Sequence, residues 1–573
     1  MKIDHASFRT VQARMSLLSA MAVAAIMLFA RLGQLPLRDP DEGRNAEVAR
    51  EMAEAGAWLT PTYNGLVYLD KPAFYFAAVA ISFRVFGESE WAARLPSALF
   101  AVGILALVFT FCRREYDELT ARLAIIVVAS TPSFFALARH VIFDMTLAFF
   151  MSGAIFAGYL AEAIDGSRRR NWYLLAAASA GAGTLVKGPV GFLVPALVLS
   201  VFNIVDRRSG CWKRLFHPLN FLVFFGVTLP WFFGLSHQHP DFPRYGLIEE
   251  SFNRFTTGSF NRKAPFYYYA LVVLGGMFAW SALLPEAARS AWRARSRWSR
   301  ADRLLIVWAI VVVVFFSISK SKLPHYILTA LVALGILTAR LFAEAFRNRE
   351  GAAAQVVFRS LVFLVILSAV VAAFLVINIA MPDVHLTIFK IKSREFGRVA
   401  LAFPSAAIMM ILLCGAAFAG RWLRDVRLAF AAFLVIPLAL LTIGFHGLVT
   451  YSEASSSREL VRRIPPLPAG TEVVCLQCFP CGLPFYLKRP VTLISATGQE
   501  LTSNYILYSL RHLATWPPAI VPLANKEKWL ASREHAVFMI ANDRTKPDLY
   551  ALATRRNRTV VALTPGWWGL SLN

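Results

Sequence analysis

Apolar runs of about 18 to 22 residues recur along most of the chain and are separated by short polar connections. As a helix, a run of this length crosses roughly 30 Å of hydrocarbon. The pattern predicts a polytopic α-helical membrane protein with about thirteen transmembrane helices. They are expected near residues 16–35, 92–112, 121–138, 145–164, 172–186, 188–205, 217–236, 267–287, 303–319, 325–343, 358–380, 400–420 and 428–449.

The pattern changes after residue 450. Short alternating apolar stretches such as TEVVCLQ, RPVTLIS, HAVFMIA and TVVAL are separated by Pro, Gly and charged residues, which is typical of strands in a small α/β domain. We therefore predict a transmembrane domain over residues 1–450 and a soluble domain over residues 451–573.

Lys and Arg cluster in alternate connections, for example at residues 113–114, 168–170, 289–300 and 421–427. By the positive-inside rule these connections face the cytoplasm. Their placement explains the net charge of +24 without a nucleic-acid partner, and mean hydropathy of +0.54 agrees with a membrane setting. The first span lacks a cleavage pattern and is expected to be retained. The first loop, residues 36–91, and the soluble domain then lie on the outer, periplasmic side of an inner membrane.

Residues 72–87, PAFYFAAVAISFRVFG, are apolar but short. Counting this segment as a span would invert every later connection and break the charge pattern. We predict instead a juxtamembrane or re-entrant helix at the outer surface.

The stretch RDPDEGRNAEVAREM, residues 38–52, places many ionised side chains directly after the first span. Asp39 is predicted to cap a helix, with Pro40 at the first position and Glu42 completing a capping box. An apolar stripe of alanines and Met52 predicts that this helix lies along the membrane surface, with Arg44, Glu47, Arg50 and Glu51 facing water or partners. Asp41 remains as a surplus carboxylate, either paired with Arg44 or Asn45 or available for chemistry.

Cysteines and histidines give weaker signals. The motif CLQCFPC contains Cys475, Cys478 and Cys481, and an oxidising compartment favours a disulfide with one spare thiol over a metal site. The HQHP tract at residues 237–240 is weak support for a metal site. No cofactor is required by the sequence, and a divalent metal with unknown ligands is left open.

Motifs across the first 330 residues resemble the GT-C superfamily of polyprenyl-phosphate-dependent glycosyltransferases. The pattern begins with DEGRNAEVAREM, GAWLTPTYNG and LDKP and continues through ARLPSALF. It is similar to the bacterial family of aminoarabinose transferases (ArnT), with related protein mannosyltransferases. FDM, LVKGPVGFLVP, RKAPFYYY and KSKLPHYIL extend the match, and the later spans agree only in order and size.

This resemblance implies a GT-C fold and an inverting transfer without a covalent enzyme intermediate. The implied donor is undecaprenyl phosphate carrying 4-amino-4-deoxy-L-arabinose, and the implied acceptor is a phosphate of lipid A. Such a modification confers resistance to polymyxin and cationic antimicrobial peptides. Membrane lipids are the other expected partners.

A lipid-phosphate donor needs cations at the membrane interface to stabilise the departing phosphate. The resemblance and the position of the outer loops together assign catalytic roles to Asp41, Asp144 and Lys71. Substrate binding is assigned to Arg44, Lys187, Arg254, Arg262, Tyr326, Lys320 and Lys322.

Three alternatives remain for these residues and for the chain. The lysines are also explained as snorkelling side chains, and Asp144 as a favourable charge at a helix start. A protein O-mannosyltransferase-like enzyme would need Asp41 as a general base for a Ser or Thr acceptor. A lipid transporter or flippase would need charged or broken helices at mid-membrane, whereas the ionisable clusters here are predicted at one face.

Overall fold

The computed structural model describes residues 5–164, 166–207, 210–253, 256, 264–380 and 403–572, without the side chains of residues 5–16 and 252. The chain forms two compact units. The first contains residues 1–32, 97–230 and 251–448, and the second contains residues 33–96, 231–250 and 449–573. The predicted boundary at residue 450 remains a prediction, and the structure adds that residues 33–96 form one unit with the C-terminal residues.

Within the described residues, seven helices are long and apolar enough to cross a membrane, or up to nine if each bent pair is one span. The fold is therefore that of a multi-pass membrane protein, while the predicted count of thirteen remains a prediction. The seven are Glu90–Glu115, Asp144–Ala161, Cys211–Gln238, Arg300–Ile318, Pro324–Arg347, Ala352–Ala380 and Phe403–Trp422.

Several predicted spans are shorter or broken. The predicted span at residues 267–287 corresponds to the helix Tyr268–Gly276 and, after a bend of 113°, the helical segment Trp280–Arg293, which extends past residue 287. Residues 428–449 are divided among Val426–Phe433, Val435–Leu441 and Phe445–Ala454, because Leu434 and then residues 442–444 interrupt the helical hydrogen bonds. Other helices at predicted spans are His5–Phe29, Glu118–Ser130, Ser167–Lys187 and Val190–Val205.

The first loop in the second unit contains the helix Asp41–Ala55, a hairpin of strands β1 (Thr62–Tyr63) and β2 (Leu66–Val67), and the helix Phe74–Phe86. Thirteen residues of helix extend about 20 Å, which is too short for a straight crossing. The predicted short helix over residues 72–87 is therefore present.

Of the two environments predicted for Glu47 and Arg50, water or partners, the structure shows partners. Both side chains are buried, and Arg50 Nε donates to Glu47 Oε2 at 2.7 Å. On the same helix, Glu42 accepts from the buried guanidinium of Arg94 at 2.9 Å. Ion pairing satisfies these charges away from water, which an amphipathic pattern alone does not reveal.

The predicted α/β domain is present after residue 450. Its six-stranded sheet has the order β5-β4-β3-β6-β8-β7, in which β5, β4, β3 and β6 are parallel and β8 is antiparallel to both neighbours. The strands are β3 (Glu472–Leu476), β4 (Thr492–Ser495), β5 (Ile520–Pro522), β6 (Val537–Asn542), β7 (Val560–Thr564) and β8 (Trp567–Ser571). The helices Asn504–His512, Lys526–Ala531 and Lys546–Arg556 connect them, and apolar residues of β3, β4 and β6 form the core.

Candidate active site

Asp41 and Arg44 form an ion pair one turn apart at the start of the helix Asp41–Ala55. Arg44 Nη2 lies 2.6 Å from Asp41 Oδ1, and the Asp41 side chain is 58% exposed. Arg44 is mostly buried. Its other terminal nitrogen, Nη1, donates to the backbone oxygen of Thr502 at 3.0 Å and to the Thr502 hydroxyl at 2.7 Å. Asp41 is thus a water-accessible carboxylate held beside a fixed cation.

The predicted capping box was wrong. The residue before the helix is Pro40, and no side chain caps the helix end. Instead, Asp39 accepts from the Ser457 hydroxyl and from the backbone N–H of Gly482. Burial raises the pKa of Asp39 from 3.8 to about 7, although the hydrogen bonds from Ser457 and Gly482 act in the opposite direction.

Lys71 is anchored within the second unit. Its Nζ donates to a carboxylate oxygen of Glu250 and, at 2.7 Å, to the carbonyl of Asp70. Glu250 lies in a π-helical segment, Tyr245–Asn253, a local geometry that often occurs at functional sites. Sequence reasoning missed Glu250, because nothing in the loop pattern brings it to a lysine 179 residues earlier.

Asp70 is a second residue that sequence reasoning did not single out. Its carboxylate accepts from the backbone N–H groups of Asn504 at 3.1 Å and Tyr505 at 2.7 Å. It also accepts from the hydroxyls of Ser503 and Tyr245, each at 3.1 Å. Asp70 thus sits at the positive end of the helix Asn504–His512, where a carboxylate is favourable.

Asp144 and Lys187 meet in the first unit. Asp144 begins the helix Asp144–Ala161, as predicted, and its Oδ1 accepts from Lys187 Nζ at 2.6 Å. Lys187 ends the helix Ser167–Lys187 before Gly188, whose φ of +79° fits the predicted helix break. The side chains of Asp144 and Lys187 are only 3% and 11% exposed, so this pair is largely desolvated.

Two residues of the KLPHY motif complete this cluster. The ring of Tyr326 lies under Lys187 Nζ, with 4.8 Å to the ring centroid. His325 Nε2 is 3.6 Å from Asp144 Oδ2. A lysine between a carboxylate and an aromatic face is held in one place. The substrate-binding role predicted for Tyr326 remains a prediction.

The other predicted cations are less integrated. Lys320 is exposed, whereas Lys322 folds back to donate from Nζ to the Ser319 carbonyl at 2.6 Å. Burial lowers the pKa of Lys322, and repulsion from Lys320 lowers it further by a smaller amount. Arg254 and Arg262 lie outside the described residues.

The described part of the chain contains all six cysteines, and none is in a disulfide. The expected disulfide within CLQCFPC is therefore not formed in this structure. Cys478 donates from Sγ to the Ile540 carbonyl at 3.6 Å, and Cys481 Sγ lies 3.3 Å from the Thr502 hydroxyl. Among the described residues, no three His, Cys, Asp or Glu side chains converge as a metal site would require.

An apolar groove lies in the first unit, and its lining contains none of the residues of these ionisable clusters. Ala, Phe and Leu side chains form most of its wall, and the described residues that line it include no acidic or basic side chain. Such a groove suits a hydrocarbon chain rather than chemistry on a charged group.

The ionisable clusters share one chemical design. Lys71 and Lys187 each hold an ammonium beside a carboxylate in a mostly buried position. A phosphate oxygen can take a place beside such a lysine, and low exposure strengthens that interaction. The same pairs also serve the fold, so the substrate roles of Lys71 and Lys187 remain predictions.

Residues 70–233 match the family described as dolichyl-phosphate-mannose-protein mannosyltransferase. The chain is 31% identical over 324 residues to an undecaprenyl phosphate-alpha-4-amino-4-deoxy-L-arabinose arabinosyl transferase of Edwardsiella ictaluri, covering 56% of this chain and 58% of that relative. The chain thus spans less than two thirds of the length of this relative. A Shewanella sediminis enzyme of the same name is 27% identical over 502 residues, covering 84% of this chain and 87% of the relative.

Solved structures match over nearly the whole chain. ArnT from Cupriavidus metallidurans bound to undecaprenyl phosphate has a TM-score of 0.81 and 27% identity, covering 97% of this chain and 98% of that one. The apo form of the same protein gives a TM-score of 0.79, with 97% of each chain covered.

Proposed function

Because the chain has the GT-C fold of the ArnT structures, as its motifs predicted, we propose that it is an integral-membrane glycosyltransferase. It transfers 4-amino-4-deoxy-L-arabinose from undecaprenyl phosphate to a phosphate group of lipid A. The observation that carries this proposal is the agreement with ArnT over 97% of the chain, at 27% identity. A match limited to the membrane helices would support the fold alone.

The donor is assigned from charge. In a sugar-linked undecaprenyl phosphate the phosphate is a diester with one negative charge, and departure of the sugar leaves a monoester with a charge of roughly −1.5 to −2 near pH 7. A cation beside this phosphate stabilises the product side of the reaction more than the reactant side. We assign this role to Lys187, which Tyr326 orients, and we keep Lys71 as a second candidate cation within its own unit.

The acceptor is assigned from the charges of the phosphate groups before and after transfer. A lipid A phosphate attacks the sugar carbon as its oxygen anion, the bond from that carbon to the donor phosphate breaks, and one phosphate monoester replaces another. General-base catalysis is not required for an anionic nucleophile, so positioning and desolvation supply the activation. Asp41, exposed beside Arg44, is then assigned to the sugar, where a carboxylate complements a protonated amine. Arg44 fixes this carboxylate and contributes positive charge.

The setting follows from the multi-pass membrane fold. We assign the chain to a bacterial inner membrane, with the second unit on the periplasmic side, since the Lys and Arg clusters lie in alternate connections. Lipid A carrying an added amine is less negatively charged, which is the basis of the expected resistance to polymyxin.

A protein O-mannosyltransferase-like activity is the second candidate. The match of residues 70–233 to the mannosyltransferase family favours it. A hydroxyl acceptor must lose a proton during transfer, so this alternative makes Asp41 a general base and makes transfer strongly dependent on pH.

The test is mass spectrometry of lipid A from a Gram-negative strain that makes the donor but lacks its own aminoarabinose transferase. The strain is complemented with the wild-type chain, Asp41→Asn, Lys71→Ala, or the exposed control Lys528→Ala. We expect one added aminoarabinose with wild type and the control, and loss of it with both site variants at matched membrane expression. Unmodified lipid A with wild type rejects the lipid A assignment and directs the test to protein acceptors. If the two site variants still modify lipid A, Asp41 and Lys71 have structural roles instead.

A further inference from the structure

The C-terminal sheet has a topological switch point between β3 and β6. From β3 the chain proceeds to β4 and β5 on one side and then returns to β6 on the other side. In open parallel sheets, ligands bind at the carboxyl ends of the strands next to such a point. Here the segments that follow β3 and β4, residues 477–482 and 496–503, lie at that edge.

These segments contact the first loop within the second unit. After β3, the backbone N–H of Gly482 donates to Asp39 at 2.6 Å, and the Cys481 carbonyl accepts from the Tyr63 hydroxyl at 3.0 Å. After β4, Thr502 accepts twice from Arg44. The edge that would hold a ligand in a free α/β domain therefore holds residues of the first loop.

The helix that follows extends this contact to Lys71. Asp70 accepts from the first two backbone N–H groups of the helix Asn504–His512. The side chain of Asn504 donates to Glu250 Oε2 at 3.4 Å, and the other oxygen of Glu250 accepts from Lys71. Four successive residues, 502–505, thus contact the immediate partners of Asp41 and Lys71.

We infer that residues 502–505 are a positioning segment, in which the Thr502 hydroxyl fixes the Arg44 guanidinium and Asn504 fixes Glu250 for Lys71. This inference rests on the proposed function and deepens it, because the α/β domain becomes part of the transfer machinery. Thr502 and Asn504 act through Arg44 and Glu250, and contact with substrate is not required of them.

The physical reason lies in the freedom of a long cationic side chain. Arg44 has several rotatable bonds, and the ion pair with Asp41 at the exposed end of the helix does not by itself select one conformer. Two hydrogen bonds from one guanidinium nitrogen to Thr502 remove that freedom before substrate arrives. A group fixed in this way contributes more in the transition state than one that must be ordered during the reaction.

The central experiment compares Thr502→Val with Thr502→Ser in the purified full-length chain. Valine keeps the size and β-branching of threonine but loses the hydroxyl, whereas serine keeps the hydroxyl. We expect Thr502→Val to lower kcat roughly tenfold, as for loss of one hydrogen bond to a charged group. We expect KM for the lipid donor to change much less, and Thr502→Ser to restore kcat. Thr554→Val, at an exposed threonine of the same domain, is the matched control.

A double-variant cycle with Arg44→Gln separates positioning from general stability. If Thr502 acts through Arg44, Thr502→Val has no further effect on kcat once Arg44 is replaced. Asn504→Ala in an otherwise wild-type and in a Glu250→Gln background tests the second contact by the same logic. Additive losses, or a wild-type kcat in Thr502→Val, overturn the inference. A lower melting temperature with unchanged kcat overturns it as well, since it assigns Thr502 to stability alone.

The wild-type chain distinguishes failure of this inference from failure of the proposed function. If wild type does not modify lipid A, the proposed function fails, and the cycle is measured in kcat for transfer to a protein acceptor with Ser or Thr hydroxyls. Non-additive effects of Thr502 and Arg44 on that kcat then support the positioning role, and additive or absent effects reject it.

Discussion

The Lys187–Asp144 pair provides a sharp test, because it separates what a buried ion pair does for the fold from what its lysine does for substrate. The two side chains are 11% and 3% exposed and are joined at 2.6 Å. Lys187→Met leaves a buried carboxylate without its ammonium, and Asp144→Asn leaves the ammonium without its carboxylate. Removing one partner of a buried pair costs about 3–5 kcal/mol of unfolding free energy.

The double variant Lys187→Met/Asp144→Asn removes both charges. Because replacing a whole buried pair by neutral side chains is often neutral for stability, we expect recovery to within about 1 kcal/mol of wild type. Transfer to lipid A should remain absent, since no ammonium is left for the donor phosphate. Denaturant-induced unfolding in detergent micelles measures the first quantity, and lipid A mass spectrometry measures the second.

A pair elsewhere in the first unit, with a buried carboxylate and a partly exposed guanidinium, is the control. Arg214 Nε donates to Glu162 Oε1 at 2.7 Å, and Glu162 is buried. Arg214→Met/Glu162→Gln should also recover stability relative to its single variants, but it should retain transfer. Transfer by the Lys187→Met/Asp144→Asn chain would refute the assignment of Lys187 to the donor phosphate. Wild-type stability of both single variants would refute the description of the pair as desolvated.

Two further predictions concern the contact between Asp39 and Gly482. A Cβ on Gly43 would lie 2.4 Å from Asp39 Oδ1 and 2.5 Å from the Gly482 Cα, so Gly43→Ala should destabilise the chain by about 1–3 kcal/mol despite its better helix propensity. Gly415→Ala, where a Cβ meets no atom within 4 Å, should be neutral or stabilising in the same unfolding assay. The raised pKa of Asp39, about 7, means that the folded state binds a proton more tightly than the unfolded state. Its contribution to stability is therefore present below about pH 4 and is lost as pH rises towards 7. Asp39→Asn should make unfolding free energy flatter over this range and higher than wild type at pH 8, and an unchanged slope would contradict the pKa shift.

Local chemistry was readable from the sequence where neighbours in the chain decide it. The helix at residues 41–55, the short apolar helix after Lys71 and the helix break at Gly188 follow from spacing, length and glycine or proline positions. The α/β domain follows from alternation. The ArnT resemblance then identified residues that the structure brings into ion pairs, although their catalytic roles remain proposals.

Partners distant in the chain were not readable. Asp39 was expected to cap the helix that follows it, but its carboxylate accepts a hydrogen bond from the backbone N–H of Gly482, 443 residues later. Glu47 was expected to face water or partners, and the charge pattern did not show that it would be buried together with Arg50. Glu250 and Asp70 were not predicted for a related reason, since the role of each depends on a contact with a distant part of the chain. Glu250 contacts Lys71, and Asp70 contacts the start of the helix Asn504–His512.

The composition of the second unit has a consequence for synthesis of the chain. Residues 33–96 are made well before residues 449–573, which supply hydrogen-bond partners to Asp39, Arg44 and Asp70. At about 5–20 residues per second, the intervening stretch of roughly 350 residues takes about 20–70 s to translate. During this interval polar groups of the first loop await their hydrogen-bond partners. A chain that stalls before residue 449 should therefore be degraded readily by proteases that recognise incompletely folded proteins, and synthesis of residues 449–573 should end that sensitivity.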